Sequence, residues 1–254
     1  MFASTLPLSW RTLLVVIAGI TGGAANGVAG GGSFIVFPTM LALGIAPLAA
    51  NVSTSVGVTP SYLGGIWRST GQITPHRRLL TSLLPSCMAG AGAGCALLFA
   101  FPATTFRIIV PWLIGAGTLL FALSPAITRR LAHVDHAHPA RRWFLFLGVF
   151  FTAVYGGYFG AGLGILLLAV MAVSLPFELA ELQGLRYVLS TVINLAADVV
   201  FVVRGHLVGY AVGTLLVSTF VGGWLGVWLI QRLSPRAVRT LIVTIGVATT
   251  IRLA

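Results

Sequence analysis

Two glycine-rich stretches in this chain have the residue types to hold a ligand by backbone alone. The first, Gly22 to Pro38, reads GGAANGVAGGGSFIVFP, and six of its seventeen residues are glycine. The second, Ala153 to Leu168, reads AVYGGYFGAGLGILLL. At an offset of about 130, Gly27, Gly30 and Gly32 fall on Gly157, Gly160 and Gly162. Both stretches lie inside long apolar runs. Backbone groups exposed by a broken membrane helix are tolerated only where they line a cavity or bury against protein. Amides at the start of a half-helix carry the positive end of its dipole and suit an anion. Gly30, Gly31, Gly32 and Ser33 are placed to supply such amides in the first half, and Gly160, Ala161 and Gly162 in the second. Small residues also permit close helix contact, and that structural reading stands beside the ligand reading.

Polar side chains follow each stretch: Asn51, Ser53, Thr54 and Ser55 after the first, Ser190, Thr191 and Asn194 after the second. Hydroxyls and amides are neutral donors suited to an oxyanion, although Ser and Thr also bond their own helix backbone. Asn194 is costlier to bury. Two charges, Arg186 and Asp198, stand within one apolar run. Twelve residues separate them, about 18 Å along a helix, so they do not pair directly. Arg186 reads either as an anion anchor or as a snorkelling residue near the start of its span. Asp198 reads as an ion-coupling carboxylate, or as a partner of Arg204 or of a neighbouring helix. No nucleophile–base set is present, and no enzyme activity is expected. The glycine runs are not phosphate loops, because no Lys follows them. The tract His133 to His138 has the composition of a metal site, but nothing fixes its three His, and a solvated loop is expected. No metal, heme or other cofactor is expected.

The elements that would position these residues follow from composition. The 254 residues are 57% hydrophobic and 7% charged, with a mean hydropathy of +1.02. Soluble domains run near a quarter charged. The long, non-alternating apolar runs predict an all-α polytopic membrane protein. The net charge of +11 comes entirely from arginine. These arginines sit mainly between apolar runs, where they orient helices, so nucleic acid is not expected as a partner. Cys87 and Cys95, eight apart in one run, read as buried fillers on one helix face rather than a disulfide. The first residues lack a basic n-region and a cleavage site, so the first helix is expected to be retained.

The runs predict about eight transmembrane helices in two homologous halves with glycine-broken helices. Residues 1–128 form the first transmembrane repeat, 129–142 a polar connecting loop and 143–254 the second repeat. The run 12–43 is too long for one straight crossing. It is one kinked helix or two short segments meeting at the glycines, with Ser33 or Asn26 as a cap. The run 143–175 repeats the plan. Further spans are expected at 51–67, 79–101 and 108–123, and at 185–203, 208–230 and 237–251. Four crossings per half make the repeats parallel, whereas a hairpin at each break makes them inverted. With the N-terminus inside, Arg11, Arg68, Arg77, Arg78, Arg129, Arg130, Arg141, Arg142, Arg204 and Arg252 fall inside. Arg107, Arg186, Arg232, Arg236 and Arg239 then fall outside, which places both termini in the cytoplasm.

The run GVAGGGSFIVFPTML, then NVSTSVGVTPSYLGG, then the second copies GGYFGAGLGILLL and LRYVLSTVINLAADVVF, resembles the sulfite exporter TauE/SafE family of membrane transporter proteins. The resemblance covers nearly the whole chain. It implies two homologous halves and the movement of sulfite, sulfoacetate or a related organosulfur anion across the bacterial inner membrane. It matches Gly30, Gly31, Gly32 and Pro38 to the first signature, and Gly160 and Gly162 to the second. Asn51, Ser55 and Asn194 match positions where the family is often polar. Here Gly27-Val28-Ala29-Gly30-Gly31-Gly32 stands where Phe-Gly-Ile-Gly-Gly-Gly is commoner.

The expectation is a secondary transporter, or permease, moving a small anion of the sulfite or organosulfonate kind across the bacterial inner membrane by alternating access. Its partners are the anion, the lipid bilayer and a coupling proton or sodium ion, with the oligomeric state unknown. The alternatives are an anion channel and a non-transporting membrane scaffold.

Overall fold

The computed structural model describes residues 7–131, 140–229 and 235–253, and they contain helices and no strand. The first apolar run does not cross in one piece. Helix α1 (Leu8–Ala29) stops at Gly30, whose φ of 75° turns its N–H back to the Asn26 carbonyl. That left-handed conformation is readily open to glycine. Helix α2 (Ser33–Ala42) then folds back along α1. Val36 faces Gly22, and Arg11 donates to the Leu43 carbonyl at 2.7 Å. The second run repeats this hairpin in α8 (Ala140–Tyr158) and α9 (Leu163–Ser174), where Gly156 faces Leu163 and Gly148 faces Val170. Gly160, the expected counterpart of Gly30, has the same φ of 75°.

Each hairpin is followed by a polar crossing element. In the first half, α3 (Pro47–Val58) and α4 (Ser61–Arg68) are divided at Thr59 and Pro60. In the second, α10 (Leu179–Arg204) is continuous and starts on a capping box between Glu178 and Glu181. A one-turn α5 (Thr70–Ile73) leads to α6 (Arg77–Ala100) and α7 (Ala103–Leu131), and the chain closes with α11 (Gly209–Leu229) and α12 (Pro235–Leu253).

Small residues set the directions of packing. Helix α1 lies parallel to α11, with Gly19 on Ser218, Gly23 on Thr219 and Ala24 on Gly226. Helix α8 lies parallel to α6, with Gly90 on Phe150 and Gly94 on Val154. Helices α3 and α4 run antiparallel to α10, since Ser55 bonds Asp198 while Gly65 abuts Tyr187. Helix α7 runs antiparallel to α12, with Gly115 at Thr250 and Thr118 at Gly246. Consequently α1 starts at one end of the molecule and α8 at the other. The halves are inverted, and each half's first helix packs on the other half's penultimate helix.

Several sequence expectations change with this topology. The count of eight treated each glycine-broken run as one crossing, and the structure splits each run into two antiparallel segments. Of the two arrangements the sequence left open, parallel or inverted repeats, the structure has the inverted one. The segment 129–142 is helical at both edges, because α7 continues to Leu131 and α8 begins at Ala140. His133, Asp135, His136 and His138 lie outside the described residues. The arginine grouping also fails. Arg68, Arg77, Arg78, Arg129, Arg130, Arg141, Arg142, Arg236 and Arg239 belong to the end where α8 starts. Arg11, Arg107, Arg204 and Arg252 belong to the end where α1 starts. Arg232 lies outside the described residues.

By length and composition, Leu8–Val28, Thr70–Ala100, Leu179–Arg204 and Gly209–Gly226 are sufficient to cross a membrane. Ser33–Ala42, Ala103–Leu119 and Leu163–Ser174 are shorter apolar helices. Trp67, Ile108, Trp112, Trp143, Val203 and Ile251 are each at least 70% exposed. Such an outer surface suits lipid rather than water. Cys87 and Cys95 are both free and buried on α6.

Candidate functional site

The two glycine breaks meet at the centre of the protein. A Cβ built on Gly30 would lie 2.8 Å from the Gly164 Cα, and one built on Gly164 would lie 3.0 Å from the Gly30 Cα. No side chain fits on either residue without a shift. The guanidinium of Arg186 enters the same junction from α10. Its NH1 lies 2.7 Å from the Gly30 Cβ position and 3.0 Å from that of Gly164.

Arg186 has no solvent exposure, so it does not snorkel. Its NH2 donates a long bond of 3.4 Å to the Asn26 carbonyl, and its Cζ lies 4.4 Å from the centre of the Tyr187 ring. Its Nε and NH1 have no hydrogen-bond partner among the described residues. Among the described residues the only ion pair joins His76 and Glu181 at 2.7 Å, so no carboxylate neutralises Arg186. A guanidinium carries five N–H donors in a planar fork matched to oxyanions. Burying one with most of that fork unused costs several kcal/mol, of order 3–5 when a partner is absent.

The expected site residues divide into those at the junction and those elsewhere. Ser190 lies one turn along α10 from Arg186, fully buried, and its hydroxyl has no partner among the described residues. Thr54, on α3, is 3% exposed and also has an unpartnered hydroxyl. Asn51 donates from Nδ2 to the Tyr158 carbonyl at 3.0 Å, at the end of α8. It mirrors Arg186, which reaches from the other half to the end of α1. Asn194 donates to the Ser190 carbonyl at 2.9 Å and accepts from Ser55 at 3.3 Å. Ser55 also bonds Asp198.

Other expected site residues bond within the hairpins, along their own helix or to neighbouring helices. The amides of Gly30 and Gly160 bond the Asn26 and Tyr155 carbonyls, and that of Gly32 donates to Asn26 Oδ1 at 2.7 Å. These three amides therefore serve the hairpins in this conformation. Asn26 is the cap of the second segment, and Ser33 is buried without a capping bond. Gly31 is buried in the turn, and Gly162, with φ of 80°, packs on Phe34. Ser53 accepts from the Val208 N–H at 3.0 Å and so organises the entry to α11. Thr191 bonds the Tyr187 carbonyl of its own helix. Asp198 pairs with neither Arg204 nor another cation among the described residues; its carboxylate accepts from Ser55 and Thr59 at 2.9 and 2.6 Å.

Sequence reading missed Gly164, Tyr62 and Tyr187 as members of the junction, and Thr59 as a partner of Asp198. The Tyr187 hydroxyl donates to the Gly27 carbonyl. The Tyr62 hydroxyl stands beside Asn26 and Asn194, within the field of Arg186. Aromatic hydroxyls in an apolar run give no spacing signal, but Gly164 was visible as the last glycine of its stretch.

A model of the family described as Sulfite exporter TauE/SafE matches residues 15–253. A "Probable membrane transporter protein" of Haemophilus influenzae is 22% identical over 91% of this chain and 89% of its own length. The "Probable membrane transporter protein ORF9" of a Sinorhizobium species is 26% identical, over 93% and 90%. The "Probable membrane transporter protein YfcA" of Escherichia coli K12 is 24% identical, over 88% and 82%.

Proposed function

We propose, for a chain that belongs to the sulfite exporter TauE/SafE family, that Arg186 and the two glycine breaks bind a small anion carried by alternating access. The family is one of membrane transporters and not of enzymes. The reading rests on one observation: a fully buried guanidinium lies between two touching helix breaks, with Nε and NH1 unpaired. An oxyanion is the ligand chemistry that neutralises such a fork and accepts its hydrogen bonds. The hydroxyl of Ser190, one turn along α10, adds a donor, and the first turns of α2 and α9 add the positive ends of two helix dipoles. Together they suit the oxyanion of sulfite or an organosulfonate. The absence of exposure at Arg186 fits a carrier closed around its site, since a channel needs a continuous aqueous route.

The proposed location is the bacterial inner membrane. The arginine-rich end, where α6, α8 and α12 begin, faces the cytoplasm by the positive-inside rule. Both termini then face outward, the reverse of the orientation expected from the sequence. The deciding experiment is flux in proteoliposomes with sulfite, thiosulfate, sulfoacetate and taurine. Saturable counterflow of at least one of the anions is expected. No flux of any of them in wild-type protein removes the substrate class, and wild-type flux in Arg186→Met removes the site.

A further inference from the structure

A second buried polar centre lies on α10 towards the end where α1 starts. Asp198 is 8% exposed, and among the described residues no cation pairs with it. Its surroundings can be tested by counting protons. The Ser55 hydroxyl lies 2.9 Å from Asp198 Oδ1 and 3.3 Å from Asn194 Oδ1. The Thr59 hydroxyl lies 2.6 Å from Asp198 Oδ2 and 3.1 Å from the Ser55 carbonyl. These are four oxygen–oxygen contacts. Each hydroxyl has one proton to donate, and an ionised carboxylate, an amide oxygen and a carbonyl have none. An ionised Asp198 therefore leaves half of the contacts without hydrogen. A proton on Oδ2 donated to Thr59 lets Thr59 donate in turn to the Ser55 carbonyl, so both Thr59 contacts become hydrogen bonds.

From this geometry we infer that Asp198 is the proton-loading site of the transporter, with Ser55 and Thr59 positioning the proton. Oxygens 2.6 Å apart share a hydrogen and leave no room for a cation between them, which argues against sodium at this place. The centre is joined to the anion junction by uncharged groups. Ser55 reaches Asn194, Asn194 stands beside Tyr62, Tyr62 stands beside Asn26, and Arg186 bonds the Asn26 carbonyl. A proton on Asp198 weakens its hold on the Ser55 hydroxyl and frees that hydroxyl for Asn194, so loading is felt along this chain. Two opposite charges about 18 Å apart on one helix are each neutralised from outside, one by an anion and one by a proton.

The titratable groups facing Asp198 are the Cys95 thiol of α6 and the Tyr62 phenol of α4. Helices α3, α5 and α9 carry no titratable side chain. On α8, Tyr155 donates to the Ala161 carbonyl and Tyr158 packs on Phe106. Arg186 and Arg204 are the charges on α10 itself that flank Asp198.

This inference builds on the transporter reading only where flux is measured. Infrared difference spectra of purified protein, taken across pH 5 to 9 with no anion added, read the carboxyl directly. A protonated-acid carbonyl band is expected at the low end, absent in Asp198→Asn and unaffected by sodium chloride replacing potassium chloride. Thr59→Val is expected to move the band's midpoint, and Thr59→Ser to restore it. If the band is missing from wild type or unchanged in Asp198→Asn, the inference is wrong; if sodium removes the band, the site binds sodium instead. In proteoliposomes, an imposed pH gradient is expected to drive thiosulfate accumulation in wild type, falling to the protein-free level in Asp198→Asn. Accumulation driven by a sodium gradient at uniform pH overturns proton coupling. If no anion is moved at all, the transport reading fails while the spectra still decide whether Asp198 takes a proton.

Discussion

Arg186→Met separates a functional guanidinium from a structural one by giving stability and transport opposite signs. Methionine approximates the length of the arginine stem and carries no charge. Relief of the unpaired buried ion is worth several kcal/mol, and replacing buried ionic groups by apolar ones is often neutral or stabilising by about 1–4 kcal/mol. Two losses oppose it. The contact over the Tyr187 ring, at 4.4 Å, is worth about 2 kcal/mol when desolvated. The bond to the Asn26 carbonyl, at 3.4 Å, is too long to contribute its full share. The net expectation is a ligand-free protein as stable as wild type or about 1–3 kcal/mol more stable. Thermal unfolding in detergent reads this. Wild type should gain about 2.7 kcal/mol at an anion concentration 100 times its Kd, and the variant nothing. Counterflow should vanish in the variant. A variant that loses more than about 2 kcal/mol without ligand identifies Arg186 as a structural strut, because breaking a satisfied buried network gives that sign.

The remaining predictions concern the junction and its frame. Gly164→Val places side-chain atoms where the Gly30 Cα and Arg186 NH1 already lie, so transport should be lost with a destabilisation of about 1–3 kcal/mol; Gly164→Ala should be milder in both assays. Asn26→Leu leaves the buried Gly32 N–H without its acceptor, and a fall of about 1–3 kcal/mol is expected; an unchanged melting curve would show that the hairpin does not need this bond. Ser53→Ala should cost about 1 kcal/mol of stability and leave counterflow intact, since its hydroxyl serves Val208 and not the junction. For orientation, a cysteine at Thr74 should label from the cytoplasm and one at Ala103 from outside, both residues being exposed at opposite ends. Labelling with the sides exchanged restores the orientation in which both termini are cytoplasmic.

Composition determined that this is a membrane protein, because so few charges cannot cover a soluble surface of this size, and the long non-alternating apolar runs determined that it is helical. Repetition determined where to look: the offset puts Gly30 on Gly160, and in the structure both adopt a left-handed φ of 75°. Residue chemistry marked Arg186 and Asp198, since an isolated charge in an apolar run stands out whatever the fold. The tertiary structure decided what those signals meant. A glycine cluster written in one dimension reads equally as a kink or a hairpin, and only the return of α2 along α1 distinguishes them. The two reversals also set which arginines share an end, because each hairpin returns the chain to the side it came from. Whether Arg186 is neutralised depends on which groups other helices bring to it, and no spacing along α10 contains that information. The same holds for Ser53 and Ser55. They stand two residues apart on α3, yet one organises the entry to α11 and the other serves Asp198, because successive positions on a helix point about 100° apart and meet different neighbours.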